Sequence, residues 1–156
     1  MSNLRGLMLA GLMALTLGAG VQKLDANLAA EGNEYASVLA SDSCAPWDGP
    51  AVAIAFYTTP TRCGQAKSAR LSISFWRGLP LKEGQKYEFS GGASAGVATL
   101  CFKEGRCESA ETGSVSIEGI EQRKSIAGHY EFIFKKAGRI AGKFRAAWCP
   151  LPVICR

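Results

Sequence analysis

Six cysteines, all after residue 43, constrain this 156-residue chain more than any other feature of its sequence. An even set of this size reads as a disulfide framework in an exported chain and as metal or redox chemistry in a cytosolic one. The N-terminus decides between the two. After Met1 and Arg5, residues 6–20 (GLMLAGLMALTLGAG) carry no charge and end in small residues, which is the pattern of a secretory signal. The run is short for a bilayer span, and no cysteine follows it directly to take a lipid. The expected organisation is a signal peptide over 1–20, cleaved between 20 and 30, then a linker over 21–43 rich in Ala, Ser and Asn, then one disulfide-bonded domain over 44–156. The expected location is periplasmic or secreted, with no stable membrane span once the signal is removed.

Past Cys44 the texture is that of a β protein. Short runs rich in β-branched and aromatic residues recur between Gly, Pro and Lys, predicting strands over 51–57, 69–76, 86–90, 96–102, 113–119, 128–135 and 140–148. Alternation sorts their faces. Val52, Ile54 and Phe56 share one side, as do Leu71, Ile73 and Phe75 against Ser72 and Ser74. Val115 with Ile117, then Tyr130, Phe132 and Phe134, then Ile140, Gly142, Phe144 and Trp148, complete the inward set. A sheet with one apolar face must cover it. The predicted fold is an all-β, antiparallel β-sandwich of about seven strands stapled by disulfides, with a small closed β-barrel as the alternative.

Three segments, Lys82-Glu83-Gly84, Lys103-Glu104-Gly105 and Lys136-Ala137-Gly138, end in a glycine suited to the left-handed position of a three-residue hairpin loop. For the last of these the loop predicts Phe134 opposite Ile140, Phe132 opposite Gly142 and Tyr130 opposite Phe144, with Glu131 beside Lys143 and His129 beside Arg145 on the solvent side. The middle loop sets Cys101 directly opposite Cys107, within disulfide reach, so these two are expected to pair. Cys44, Cys63, Cys149 and Cys155 are expected to pair in an order the sequence leaves open. Cys149 or Cys155 comes near Cys44 if the last strand ends where the first begins.

Several chemistries are excluded or disfavoured. No two cysteines are separated by two residues, so neither a redox dithiol nor a zinc ribbon is encoded. His129 is the only histidine; multi-histidine metal sites are impossible, and any Ser-His-acid triad depends on one solvent-facing strand residue. No glutamate pair has a spacing that singles it out for glycoside hydrolysis. The glycine-rich stretch 90–96 lacks the Lys-Ser or Lys-Thr of a phosphate loop and reads as a connection between strands. No catalytic residue, metal site or cofactor is expected.

Charge is distributed unevenly. From Gln122 to Arg156 eight basic residues face one acid, whereas from Glu31 to Glu121 eight basic residues face eleven acids. Arg123, Lys124, Lys135, Lys136, Arg139, Lys143 and Arg145 gather around the final hairpin as a candidate binding face, a solvated surface being the plainer explanation. Nucleic acid is disfavoured by export and by the absence of aromatics interleaved with the basic residues. The expected function is a non-enzymatic exported binding protein that recognises a protein partner, as an inhibitor or immunity module does. The alternatives are a binder of anionic envelope polymer or lipid head group through the basic hairpin, or a lipophilic-ligand carrier if the fold is a barrel with an interior pocket lined by Phe56, Phe75, Phe132 and Phe144.

Overall fold

The computed structural model describes residues 35–65, 67–90, 94–103 and 105–155. The expected signal peptide, most of the expected linker, the middle of the glycine-rich stretch and Glu104 lie outside the described residues. The protein is all-β, with nine strands: β1 (Ser37–Cys44), β2 (Pro50–Tyr57), β3 (Leu71–Phe75), β4 (Lys86–Glu88), β5 (Gly96–Cys101), β6 (Cys107–Ser109), β7 (Thr112–Glu121), β8 (Ser125–Phe134) and β9 (Gly138–Cys149). Seven of these answer to the runs read from sequence. The other two are β6, whose three residues are too few to show a period, and β1. Residues 37–43, read as the end of a linker, form most of β1, where the alternation is blurred because Ser, Ala and Asp stand beside Val38 and Leu39.

All nine strands belong to one sheet, ordered β4-β7-β8-β9-β1-β2-β3-β5-β6. Neighbours are antiparallel except β1 and β9, which run parallel with Leu39 opposite Ala147 and Ser41 opposite Cys149, so the sheet is mixed and not wholly antiparallel. A parallel pair needs a long crossover, and here nearly the whole domain serves as one. The sheet also folds over on itself. Residues 107–121 pair first with β5 and then with β8, and the change falls at two adjacent amides: Ala110 N donates to Ala98 O (2.9 Å) and Glu111 N to Ile133 O (2.8 Å). The sheet is continuous through the β9–β1 pair, and residues 107–121 carry the chain from its β6 edge to β7, beside the opposite edge strand β4.

The inward faces meet in a single core. Phe56 of β2 lies edge-on to Tyr130 of β8 (5.2 Å between ring centroids) and to Phe144 of β9 (5.9 Å). Phe89 bridges Phe75 and Phe132 at 5.3 and 5.2 Å. Edge-to-face packing of this kind adds to the gain from burial itself. Phe56, Phe75, Phe132 and Phe144 are all buried, and none of them lines the recesses described below. Ile140, Gly142 and Trp148 face inward as expected but stay partly accessible.

Three disulfides close the structure: Cys44–Cys155, Cys63–Cys149 and Cys101–Cys107. The last joins directly opposed residues of β5 and β6, with Cα atoms 4.0 Å apart and Gly105 in the left-handed region (φ 76°), as the three-residue loop predicts. Lys82-Glu83-Gly84 is a turn but not a hairpin, because β4 pairs with β7 and not with β3. In the β8–β9 hairpin, Gly138 at φ 75° pairs with Phe134, so Phe132 faces Ile140, Tyr130 faces Gly142 and Gly128 faces Phe144. The register thus differs by two residues from the one expected, which leaves every side chain on its expected face.

Candidate functional surface

The seven basic residues singled out by sequence do not form one patch. Arg123 and Lys124 lie in the β7–β8 turn and Lys135 and Lys136 in the β8–β9 turn, at opposite ends of the ten-residue β8, about 30 Å apart at strand rise. Between them the charges are compensated. Arg139 Nε and Nη2 donate to the two oxygens of Glu131, each at 2.9 Å, and that fork holds the Glu131 carboxyl below the usual carboxylate range. Arg145 Nη1 lies 3.4 Å from Ser125 Oγ and 3.9 Å from Glu121. The neighbour of His129 across the ladder is Lys143 and not Arg145, and the Nδ1 atom of His129 lies 3.0 Å from Glu118. A β-bulge between Ile117 and Gly119 turns that glutamate outward, as bulges re-aim side chains. Lys143 forms no ion pair among the described residues.

The outward face of the other half-sheet has a different character. Ladder pairing aligns Leu39, Ala55, Ser72, Thr99 and Ser109 in one row across five strands, and Ser41, Ala53, Ser74 and Val97 in the next. None of these nine side chains is charged. Sequence alternation already set Ser72 and Ser74 outward, but which strands lie beside them depends on the topology.

At one end this face runs into an exposed apolar corner that sequence reasoning missed. Trp47 sits in the tight β1–β2 turn, closed by Ala45 N to Gly49 O at 2.8 Å with Asp48 at φ 61°, and is 55% exposed. Its ring meets Trp76 edge-on at 5.8 Å and the Arg77 guanidinium at 6.0 Å. Cys44–Cys155 ties the C-terminal tail to the same turn and brings in Ile154, which is 81% exposed. Leu151 and Val153 in that tail are exposed as well. The sequence signal was an aromatic residue between Pro46 and Asp48-Gly49, where a turn offers no core to bury it.

Recesses open on the described surface at three places relevant to binding. One of about 220 Å³ lies under residues 62–65, which Cys63–Cys149 pins over Leu39, Ser41 and Ala55. Another of about 600 Å³ runs beside Cys101–Cys107 and Arg70. The third, about 500 Å³, opens between Asp42 of β1 with the start of β2, the β3–β4 connection and the β7–β8 turn.

For catalysis, the fold brings Ser116 into register with His129 and puts Glu118 on the imidazole, the composition of a hydrolytic triad. The serine forms no hydrogen bond to the histidine, His129 and Glu118 are about half exposed, and none of the three recesses includes these residues. No group of three or more metal-ligating side chains occurs among the described residues. No helix among them is long and apolar enough to cross a membrane, and three disulfides are compatible with an oxidising, extracellular compartment. Comparison with known proteins finds no matching family model, curated protein or solved structure.

Proposed function

We propose that this chain is an exported, non-enzymatic binding protein that recognises a protein partner with the uncharged outward face of β1, β2, β3 and β5 and the Trp47 corner at its end. The observation that carries this reading is the coincidence of the uncharged outward side chains that residues 62–65 do not overlie, Ala53, Ser72, Ser74, Val97 and Thr99, with an exposed tryptophan in the β1–β2 turn and an exposed isoleucine next to Cys155. Protein interfaces have this composition: charge is depleted at the centre and aromatics are enriched. Bridged loops and a hydrogen-bonded sheet also lose little freedom on association. The anionic-polymer reading is weaker, because Arg139 and Arg145 already face carboxylates and the other five basic residues are divided between the two ends of β8 and the middle of β9.

A pull-down from the envelope fraction tests it, using wild type, the double variant Trp47→Ala with Ile154→Ser, and the triple variant Lys135→Glu, Lys143→Glu and Arg145→Glu. One defined protein should be retained by the wild type and the charge variant and survive high salt, while the Trp47 variant loses it. Retention abolished by salt and by the charge variant would establish the polymer reading instead. Retention of no protein by any form would overturn the proposal.

A further inference from the structure

The 500 Å³ recess differs in construction from the flat face, and the inference drawn from it does not depend on the protein-partner reading. Val52 and Trp148, inward-facing residues of β2 and β9, and Ile126 of β8 form its floor, and Leu79, Leu81 and Ile120 form its sides. It is the mouth of the folded-over sheet, where the core residues end but the apolar lining continues. Its volume lies within the range of small-molecule sites.

The walls are fixed by hydrogen bonds. The buried Tyr87 hydroxyl accepts from Lys82 N at 2.8 Å and donates to Gln85 Oε1 at 3.1 Å, while Gly84 N donates to Ile117 O at 2.8 Å. These contacts hold the β3–β4 connection against β7. On the other side Lys124 N donates to Glu121 O and Trp148 N to Lys124 O, at 2.9 and 2.8 Å. A recess built this way needs little reorganisation to receive a ligand.

Asp42 gives the recess its chemical preference. It follows Val38 and Ala40 in the alternation of β1 and stands directly opposite Val52 at the rim of the recess, where its side chain is exposed. Among the described residues its carboxylate has no ion pair or hydrogen bond. The second acid of the rim, Glu121, lies 3.9 Å from Arg145. Arg123, at the tip of the β7–β8 turn, is the rim's cation and sets up the competing preference.

We propose that this mouth binds a small cationic amphiphile, an apolar chain or ring carrying one ammonium group, with the apolar part on Val52, Ile126 and Trp148 and the ammonium on Asp42. Asp42 keeps its access to water, so its ion pair adds a charge preference of the size of an exposed salt bridge to the burial of the apolar part.

Methyl-resolved NMR titrations of the whole protein with octylammonium, octanol and octanoate test this, read at Leu79, Leu81, Ile120 and Ile126. Octylammonium should move these methyls saturably and bind about two- to fivefold more tightly than octanol, with octanoate weakest. Asp42→Asn should reduce octylammonium to the level of octanol while the buried methyls of Ile73 and Val115 keep their positions. Arg123→Gln, an exposed change, should strengthen octylammonium binding by removing a like charge. Octanoate binding more tightly than octylammonium would overturn the proposal, as would no saturation with any of the three, or an affinity unchanged in Asp42→Asn.

Discussion

The carboxylate of Glu108 lies across the tip of the neighbouring β8–β9 hairpin and accepts from the amides of Lys136 and Ala137 at 3.1 and 3.0 Å. A residue of β6 thus caps a loop 28 positions later. It satisfies two amides that the turn leaves unpaired and holds the joint where residues 107–121 pass from one half of the sheet to the other. The cap also accompanies the two-residue difference from the register expected of Lys136-Ala137-Gly138 alone. Glu108→Ala should lower stability by roughly 1 to 2 kcal/mol, the range for losing a side-chain cap. Denaturant unfolding measures the loss, and amide exchange at Lys136 and Ala137 should quicken more than elsewhere in β8 and β9.

Gly96 marks the closest approach of β5 to β3. A Cβ there would stand 1.7 Å from the Ser74 carbonyl oxygen and 3.0 Å from the Phe75 Cα, and both are backbone atoms of a paired strand that cannot turn aside. Gly96→Ala should cost about 2 to 3 kcal/mol through forced separation of the strands. A melting temperature equal to that of the wild type would contradict the strand spacing described here.

The disulfides should differ in worth with the length of chain they close. Removing Cys101–Cys107, six residues apart, should cost about 2 kcal/mol, and removing Cys44–Cys155, 111 residues apart, about 5 kcal/mol on the chain-entropy account. Paired Cys→Ser variants compared by denaturant unfolding check the order. The Cys44–Cys155 variant should also release Ile154 from the Trp47 corner and weaken any partner that binds there.

What was legible in the sequence follows the range of each interaction. The Cys101–Cys107 pairing could be read because both residues flank one turn, and the inward set from Val52 to Phe144 could be read because alternation is local. The partners of Cys44 and Cys63 could not, since they depend on β9 lying parallel to β1, a contact between the two ends of the domain. The same limit hid the candidate surface. Leu39, Ala55, Ser72 and Thr99 are unremarkable along the chain and become a face only through the order of the strands. The basic residues around the final hairpin are close in sequence, but β8 separates them and the carboxylates of Glu131, Glu118 and Glu121 come in from neighbouring positions of the ladder.

The Glu131–Arg139 fork predicts a local pH response. Glu131 is held below its ordinary value of 4.5 first by the hydrogen bond from Arg139, opposed by desolvation and assisted by the charges of Arg139 and Lys86. Because the folded-state pKa is the lower one, its contribution is present above the unfolded pKa and is lost as pH falls through the folded one, that is, from about pH 4.5 downward. A carbon-detected titration should place the Glu131 midpoint below the ordinary value of 4.5. Arg139→Ala should bring the midpoint back up.

Ser116, His129 and Glu118 provide the sharpest test of the non-enzymatic reading. A triad works when the imidazole nitrogen not bound to the acid takes the nucleophile's proton and when amide donors wait for the oxyanion. Here the acid is in place at 3.0 Å from Nδ1. The serine, however, forms no hydrogen bond to the ring, and the open sheet face gives a substrate no recess to occupy and the His129–Glu118 pair little shelter from water. The protein should therefore hydrolyse an activated ester such as p-nitrophenyl acetate no faster than expected for one exposed imidazole. His129→Ala should remove that residual rate, and Ser116→Ala should leave it unchanged. Burst kinetics lost in Ser116→Ala would mean that the serine is acylated and that the chain is a hydrolase.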